Sequence, residues 1–275
     1  MSMVLMASEA SALESNYGRY TSGEVRTWET FTYGRFSTKM RSQNKKGTCY
    51  AFFTYFNDYP EREQGFWNEI DIEIVPSVSS NPFSTNIIWE WQEQQDQQYC
   101  KDFQPGKAFN EYVIEWTPDY VSWKVNGRVC RKTEGTEDVH FLTEAQNLFM
   151  DFWTPTFAWW GDDFDDTGMP WYTWYDYVQV ESYNRQTGQF ELLWRDEFDS
   201  FDEDRWFKSN GWGLGSSTFY KDNVYVENGA LVFKMDYDWQ WNDDGQEGSA
   251  ATLNADVGVG EEVQEENSGA VMTQQ

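Results

Sequence analysis

The chain has 275 residues and a formal net charge of −27 at pH 7, from 20 Lys+Arg against 47 Asp+Glu. So acidic a surface repels phosphate, which excludes nucleic acid and disfavours anionic polysaccharides while leaving a neutral glycan compatible. Aromatic residues make up 19% of the chain, with 16 Trp; one core is not expected to absorb them all, so many rings are expected along a groove, where flat apolar faces suit sugar rings.

In chain order, Met1–Ala10 has neither a basic start nor a full apolar stretch, so no signal peptide is read there. Short segments with period-two alternation follow, at Gly23–Trp28, Tyr33–Arg41, Tyr50–Asn57, Trp67–Val75, Tyr112–Thr117, Val121–Val125, Asn147–Trp153, Tyr175–Tyr183 and Ala230–Tyr237. Asn126-Gly127 predicts a tight hairpin turn, because both central positions of such a turn need positive φ. A short turn is expected near Thr143–Gln146, and no longer stretch carries a capped helical period. Residues 184–190 read as a polar linker, and a further strand group runs from Leu192 to Asp238. Beyond Lys234 there is no Lys or Arg, and residues 239–275 read as an acidic, disordered tail. With residues 1–19 as a lead-in, residues 20–238 are expected to form a single all-β sandwich domain.

No apolar run reaches the roughly 18 residues that a membrane-spanning helix needs. Cys49, Cys100 and Cys130 lack metal-ligand spacing and His140 is the single histidine, which excludes a zinc site. Each cysteine is expected to be a small buried hydrophobe; one disulfide is compatible but not required. No phosphate-binding loop, dinucleotide fingerprint or Ser-His-Asp arrangement is present.

Trp67-Asn68-Glu69-Ile70-Asp71-Ile72-Glu73-Ile74-Val75 carries the chemistry. On a strand, Ile70, Ile72 and Ile74 face the core while Glu69, Asp71 and Glu73 share the other face. Three carboxylates spaced about 6.7 Å apart repel one another and force at least one pKa upward. Acid–base chemistry on a glycosidic bond needs such a shift. Retaining glycosidases hold two carboxyls about 5–5.5 Å apart. The Cα atoms of Glu69 and Glu73 should lie about 13 Å apart, a gap two long Glu arms can largely close across the shorter Asp71. A solvated acidic face on an edge strand and a calcium site are the competing explanations; the β-branched strand lacks the Gly and Asn turns of a calcium loop.

Glu69-Ile70-Asp71-Ile72-Glu73 resembles the Glu-x-Asp-x-Glu signature of glycoside hydrolase family 16, in the unbulged form of the lichenases and xyloglucan transglycosylases. Tyr33-Gly34-Arg35-Phe36 with Lys39-Met40, Gly47-Thr48, Phe52 to Tyr55, Tyr112 to Pro118 and Val121 to Gly127 are similar to flanking strands of that family. The likeness covers roughly residues 20–238. It implies a concanavalin-like jelly roll of two curved antiparallel sheets, with a neutral β-glucan in the concave cleft. The segment resembling the family's opening strand, Trp194 to Asp199, follows the one resembling its closing strand, Tyr175 to Val180. That order implies a circular permutation, with 184–190 as the joint.

The resemblance implies Glu69 as nucleophile, Asp71 as assisting acid and Glu73 as general acid/base. It implies sugar contacts for Glu24 and Arg26, which without it are equally well a cross-strand ion pair, and an aromatic platform at Trp153. Trp67, Trp89, Trp91 and Trp160 are assigned to the substrate-binding walls. Asp176 aligns with the one side-chain ligand of a structural Ca²⁺, with Gly229 assigned to the same ion; an ordinary exposed Asp is the alternative. No cofactor is expected for catalysis. The implied activity is endo-hydrolysis of mixed-linkage β-1,3-1,4-glucan by a secreted monomer, secretion being inferred from the substrate. β-1,3-glucan or xyloglucan as substrate, or a non-catalytic carbohydrate-binding jelly roll, are the alternatives. The departures are Asn68, Ile74-Val75-Pro76 and Asp151, the last where the family often has Asn. With the Trp-rich segments they bear on linkage preference, not on reaction class.

Overall fold

The computed structural model describes residues 18–57, 67–78, 82–90, 92–93, 100 and 103–238. Residues 1–17 of the expected lead-in and the expected acidic tail lie outside them. Alternating sequence becomes strand through most of the described chain: β1 Tyr20–Phe31, β2 Gly34–Ser42, β3 Cys49–Asn57, β4 Trp67–Ile74, β5 Phe83–Trp89, β6 Gln92–Glu93, β7 Asn110–Trp116, β8 Tyr120–Val125 and β9 Arg128–Glu134. A one-turn helix α1, Glu137–His140, precedes β10 Gln146–Trp153, β11 Trp171–Asn184, β12 Gln189–Asp196, β13 Trp206–Lys208, β14 Trp212–Leu214, β15 Ser217–Phe219, β16 Val224–Glu227 and β17 Ala230–Tyr237.

These strands form a jelly-roll sandwich. One layer runs β13-β1-β10-β3-β4-β5-β6, antiparallel throughout. The other runs β16-β17-β11-β2-β7-β8-β9, with β12 pairing the far half of β11 on the side that β17 occupies at its near half. β1 joins the layers: Tyr20 and Thr21 pair with β17, and from Gly23 onward the strand pairs with β10. Between the layers lies one continuous core. Val25, Phe52, Ile70, Ile72, Ile74, Leu148 and Met150 meet Phe36, Met40, Ile114, Trp116, Trp123, Val178, Leu231 and Phe233.

Several expectations are corrected here. The 184–190 stretch is a tight turn rather than a linker: Asn184 Oδ1 accepts the Gln186 and Thr187 N–H groups, and Gln189 already pairs with Asn184. The expected turn at Thr143–Gln146 gives way to α1 a few residues earlier, with Glu137 and Asp138 in its first turn, where acidic side chains favour a helix start. Cys100 and Cys130 are disulfide-bonded, while Cys49 is free and buried. The tryptophans also divide differently. Trp116, Trp123, Trp153, Trp160, Trp171 and Trp206 are buried, and Trp28, Trp159 and Trp212 are exposed. A sandwich this broad absorbs more rings than composition implied. The Asn126-Gly127 turn is as expected, with φ of 50° and 75° joining β8 to β9. Asn228-Gly229 makes the same turn between β16 and β17.

Candidate active site

On β4 the alternation does what the pattern predicted. Ile70, Ile72 and Ile74 are fully buried in the core, and Glu69 and Glu73 are half-buried on the outer face with Asp71 between them. Register builds that face outward from β4. Glu69 lies between Tyr55 and Ile88, Asp71 between Phe53 and Asn86, and Glu73 between Ala51 and Ser84. Beyond β3, Asp151 stands beside Ala51 and Phe149 beside Phe53. Beyond β10, Glu24 stands beside Asp151 and Arg26 beside Phe149. Phe53 and Phe149 stack at 5.1 Å, and Tyr55 meets both Phe149 and Trp67 edge-on. The result is an aromatic stripe running alongside a row of acids.

Burial decides which carboxyls on this face keep protons. Asp71 is 4% exposed. Its pKa is pushed well above the usual carboxylate range by burial first, then by the charges of Glu69 and Glu73. It shares a side-chain hydrogen bond with Glu69. A bond between two carboxyls needs a proton, and burial leaves it on Asp71, which therefore donates. Trp67 Nε1 donates to Glu69 Oε2 at 2.5 Å. Cys49 Sγ lies 3.8 Å from Glu73 Oε1, and burial pushes the thiol upward, so it stays a donor. Glu24, 2% exposed, is pushed up to about 8 by burial, against the Ser209 hydroxyl and Arg26, which lower it. Asp151 is raised by burial and then by Glu24, Glu73 and Glu69. Ser84 Oγ, Asn86 Oδ1 and Asp151 Oδ1 are buried without a hydrogen-bond partner among the described residues.

Glu69, Asp71, Glu73, Glu24, Arg26 and Trp67 are thus brought onto one face. The Arg26 guanidinium lies 5.1 Å from the Trp28 ring and 4.8 Å from Phe207. Trp89 is a correction. Register sets it opposite Asn68, on the core-facing side of the sheet. There it stacks on Phe141 at 4.3 Å and donates to Asp138. Trp91 lies outside the described residues. Trp153 and Trp160 are at the Glu73 end, yet only 7% and 6% exposed, packed with Cys49, Ala51, Val75 and Phe219. The β14–β15 turn closes over Trp153: a side chain at Gly215 would begin 3.1 Å from its ring. Burial at 7% and 6% exposure corrects Trp153 as a platform and Trp160 as a substrate-binding wall. Trp159 in the same loop is 76% exposed.

Of the residues assigned to calcium, Asp176 places its carboxylate 3.8 Å from the Lys39 ammonium, and Gly229 sits at positive φ in the turn between β16 and β17.

Sequence reasoning left Phe149, Asn86, Ser84, Ser209 and Phe207 unassigned. Their only signal is the alternation of their own strands; which strands lie side by side is set by the fold.

Comparison with known proteins follows the same line. A sequence profile described as Glycosyl hydrolases family 16 matches residues 2–175. A β-glucanase of Fibrobacter succinogenes is 32% identical over 257 residues, covering 89% of this chain and 72% of that protein. A β-glucanase of Brevibacillus brevis is 30% identical over 170 residues, covering 58% of this chain and 60% of the other. Among solved structures, a Bacillus licheniformis β-glucanase aligns over 58% of this chain and 77% of that chain, with a TM-score of 0.46 at 18% identity.

Proposed function

The chain belongs to the glycosyl hydrolases of family 16, and from that premise we propose that it is an endo-glucanase acting on mixed-linkage β-1,3-1,4-glucan with retention. The observation that carries this reading is the placement of two glutamates on one face of β4, with the buried Asp71 between them. Glu69 receives the Trp67 indole and the Asp71 proton. That suits a carboxylate that must attack carbon. Glu73 has the thiol of Cys49 beside it, a weak donor that suits a group which must hold a proton and then release it.

In the first step Glu69 attacks the anomeric carbon while Glu73 gives its proton to the departing glycosidic oxygen, leaving a covalent glycosyl–enzyme ester. In the second, Glu73 takes a proton from water, whose oxygen displaces Glu69 and regenerates the carboxylate. Asp71 stays a proton donor to Glu69 in both. The Phe53–Phe149 stack supplies an apolar floor for sugar faces. The orphaned polar atoms at Ser84, Asn86 and Asp151 are support of another kind, since buried hydrogen-bonding groups are ordinarily satisfied, and sugar hydroxyls are suited to the task. Secretion is part of the proposal, supported by the Cys100–Cys130 bridge, which belongs with oxidising compartments.

The first test is Glu69→Gln. Hydrolysis should fall by at least about a thousandfold while glucan binding survives; an unchanged rate would overturn the assignment of the nucleophile. The second is reducing-sugar release from barley β-glucan, laminarin, xyloglucan and carboxymethylcellulose side by side. Release from the first alone is expected, and equal release from laminarin would refute the linkage preference.

A further inference from the structure

Glu73 sits at the end of β4 where the outer face meets the second, smaller packed cluster, and Cys49 belongs to that cluster. The thiol is fully buried, its sulfur 3.8 Å from Glu73 Oε1. It lies diagonally across the β3–β4 ladder, since Glu73 pairs with Ala51 two residues further along β3. The carboxyls facing this corner are Asp71 and Glu69 on β4, Asp151 on β10 and Glu24 on β1, and the buried phenols of Tyr50 on β3 and Tyr175 on β11 lie behind it. All are acids. Ser84 on β5 is the neutral neighbour across the ladder. Around Cys49, Ala51, Val75, Trp153, Trp160 and Phe219 hold the sulfur in place. Asp151, 98% buried with Oδ1 unpartnered, marks the same corner as one where polar groups are fixed rather than solvated.

Resting on the reading of Glu73 as acid/base, we propose that Cys49 is a positioning residue for it: the thiol donates a weak hydrogen bond that orients the Glu73 carboxyl and sets the pH at which it keeps its proton. The reasoning is one of strength. A hydroxyl in that place would stabilise the carboxylate strongly and strip Glu73 of its proton at lower pH. A methyl group would leave the carboxyl among like charges without this donor, so that it holds its proton longer and is less well aimed. A thiol lies between, able to orient the group through both halves of the reaction without binding either form tightly.

The experiment compares kcat and kcat/KM across pH for the wild type, Cys49→Ala and Cys49→Ser on the same soluble β-glucan. The alkaline limb of kcat/KM reports the acid of the free enzyme. It should move up by about 0.3–1 pH unit in Cys49→Ala, with kcat reduced, and move down by a similar amount in Cys49→Ser. Limbs that superimpose, or that move in the same direction in both variants, would show that the thiol only fills space. A second measurement needs no Cys49 variant. Cys100 and Cys130 are bridged, so the infrared S–H band of the intact protein belongs to Cys49 alone. The band should lie at lower frequency in the wild type than in Glu73→Gln, and an identical band in both overturns the proposal. A wild type that hydrolyses no β-glucan at any pH instead defeats the functional reading, a different outcome from an active enzyme whose profile ignores Cys49.

Discussion

Glu24 and Asp151 face each other across β1 and β10, both almost wholly buried, and only Glu24 has a hydroxyl donor, Ser209. Glu24 titrates near 8 against an unfolded value of 4.5. Below the unfolded value both states hold the proton and no stability is at stake. As pH rises toward 8, the unfolded chain gives up the proton while the folded one keeps it, so folding stability falls across that window and levels off above it. Asp71 and Asp151, also raised, add to the decline in the same direction. The melting temperature should therefore drop steadily from about pH 5 to about pH 8. Glu24→Gln, which cannot titrate, should flatten part of that drop. Parallel curves for the two proteins in a calorimetric pH series would contradict the burial argument.

At the scale of elements, the sheet opposite the site is tied by charge. Glu115 on β7 accepts from Arg35 Nε of β2 at 2.9 Å and from Lys124 Nζ of β8 at 2.6 Å, and Arg35 reaches Glu181 on β11 at 3.2 Å. Arg35 also lies 4.3 Å from the Phe190 ring of β12. Strands β2, β7 and β11 and the β12 hairpin thus meet at one guanidinium, and Glu115 extends the tie to β8. Removing Glu115 leaves Arg35 and Lys124 facing each other without their shared anion. Both cations are partly exposed, so the cost is that of a screened pair. Glu115→Ala should lower stability by about 1–3 kcal/mol, less at high salt, with kcat unaffected. Urea unfolding at low and high ionic strength checks this, and a loss independent of salt would mean that packing, not charge, holds the sheet there.

On the scale of the molecule, β1 is the hinge between layers, and its first residues lie beside the last described ones. Tyr20 pairs with Tyr237, and Asp238 N donates to Arg19 O at 2.9 Å. The expected circular permutation remains our proposal, and this adjacency supports it: a link there, with a cut in the 184–188 turn, restores the other segment order. A chain rearranged to begin at Gln189, with residue 238 joined to Arg19 by a short linker and ending at Asn184, should keep its near-ultraviolet dichroism. It should also keep activity to within about threefold, because chain ends that lie close tolerate such rewiring. A rearranged chain that aggregates or folds without activity would argue that the β11–β12 turn is needed for assembly.

Much of this protein was readable before any fold was known. Period-two alternation fixed β1, β2, β3, β4, β7, β8, β10, β11 and β17 to within a few residues, because a half-buried strand must alternate. The carboxylate strand was legible for the same reason: with three isoleucines inward, the three acids had nowhere else to point. Asn126-Gly127 was legible because backbone sterics at positive φ are local. What stayed hidden was everything that depends on which strand lies beside which. Alternation assigns a side chain to one of two faces but not to the neighbours it meets there, so Phe149, Asp151 and Cys49 could not be joined to β4. Trp89 and Trp160 could not be told from cleft-wall residues, nor Trp153 from an open platform. Cys100 and Cys130 had no local signal of their pairing. Local chemistry is written in the order of the residues. Proximity across the sheet, and the burial that decides which acids keep their protons, exist only once the two layers have closed.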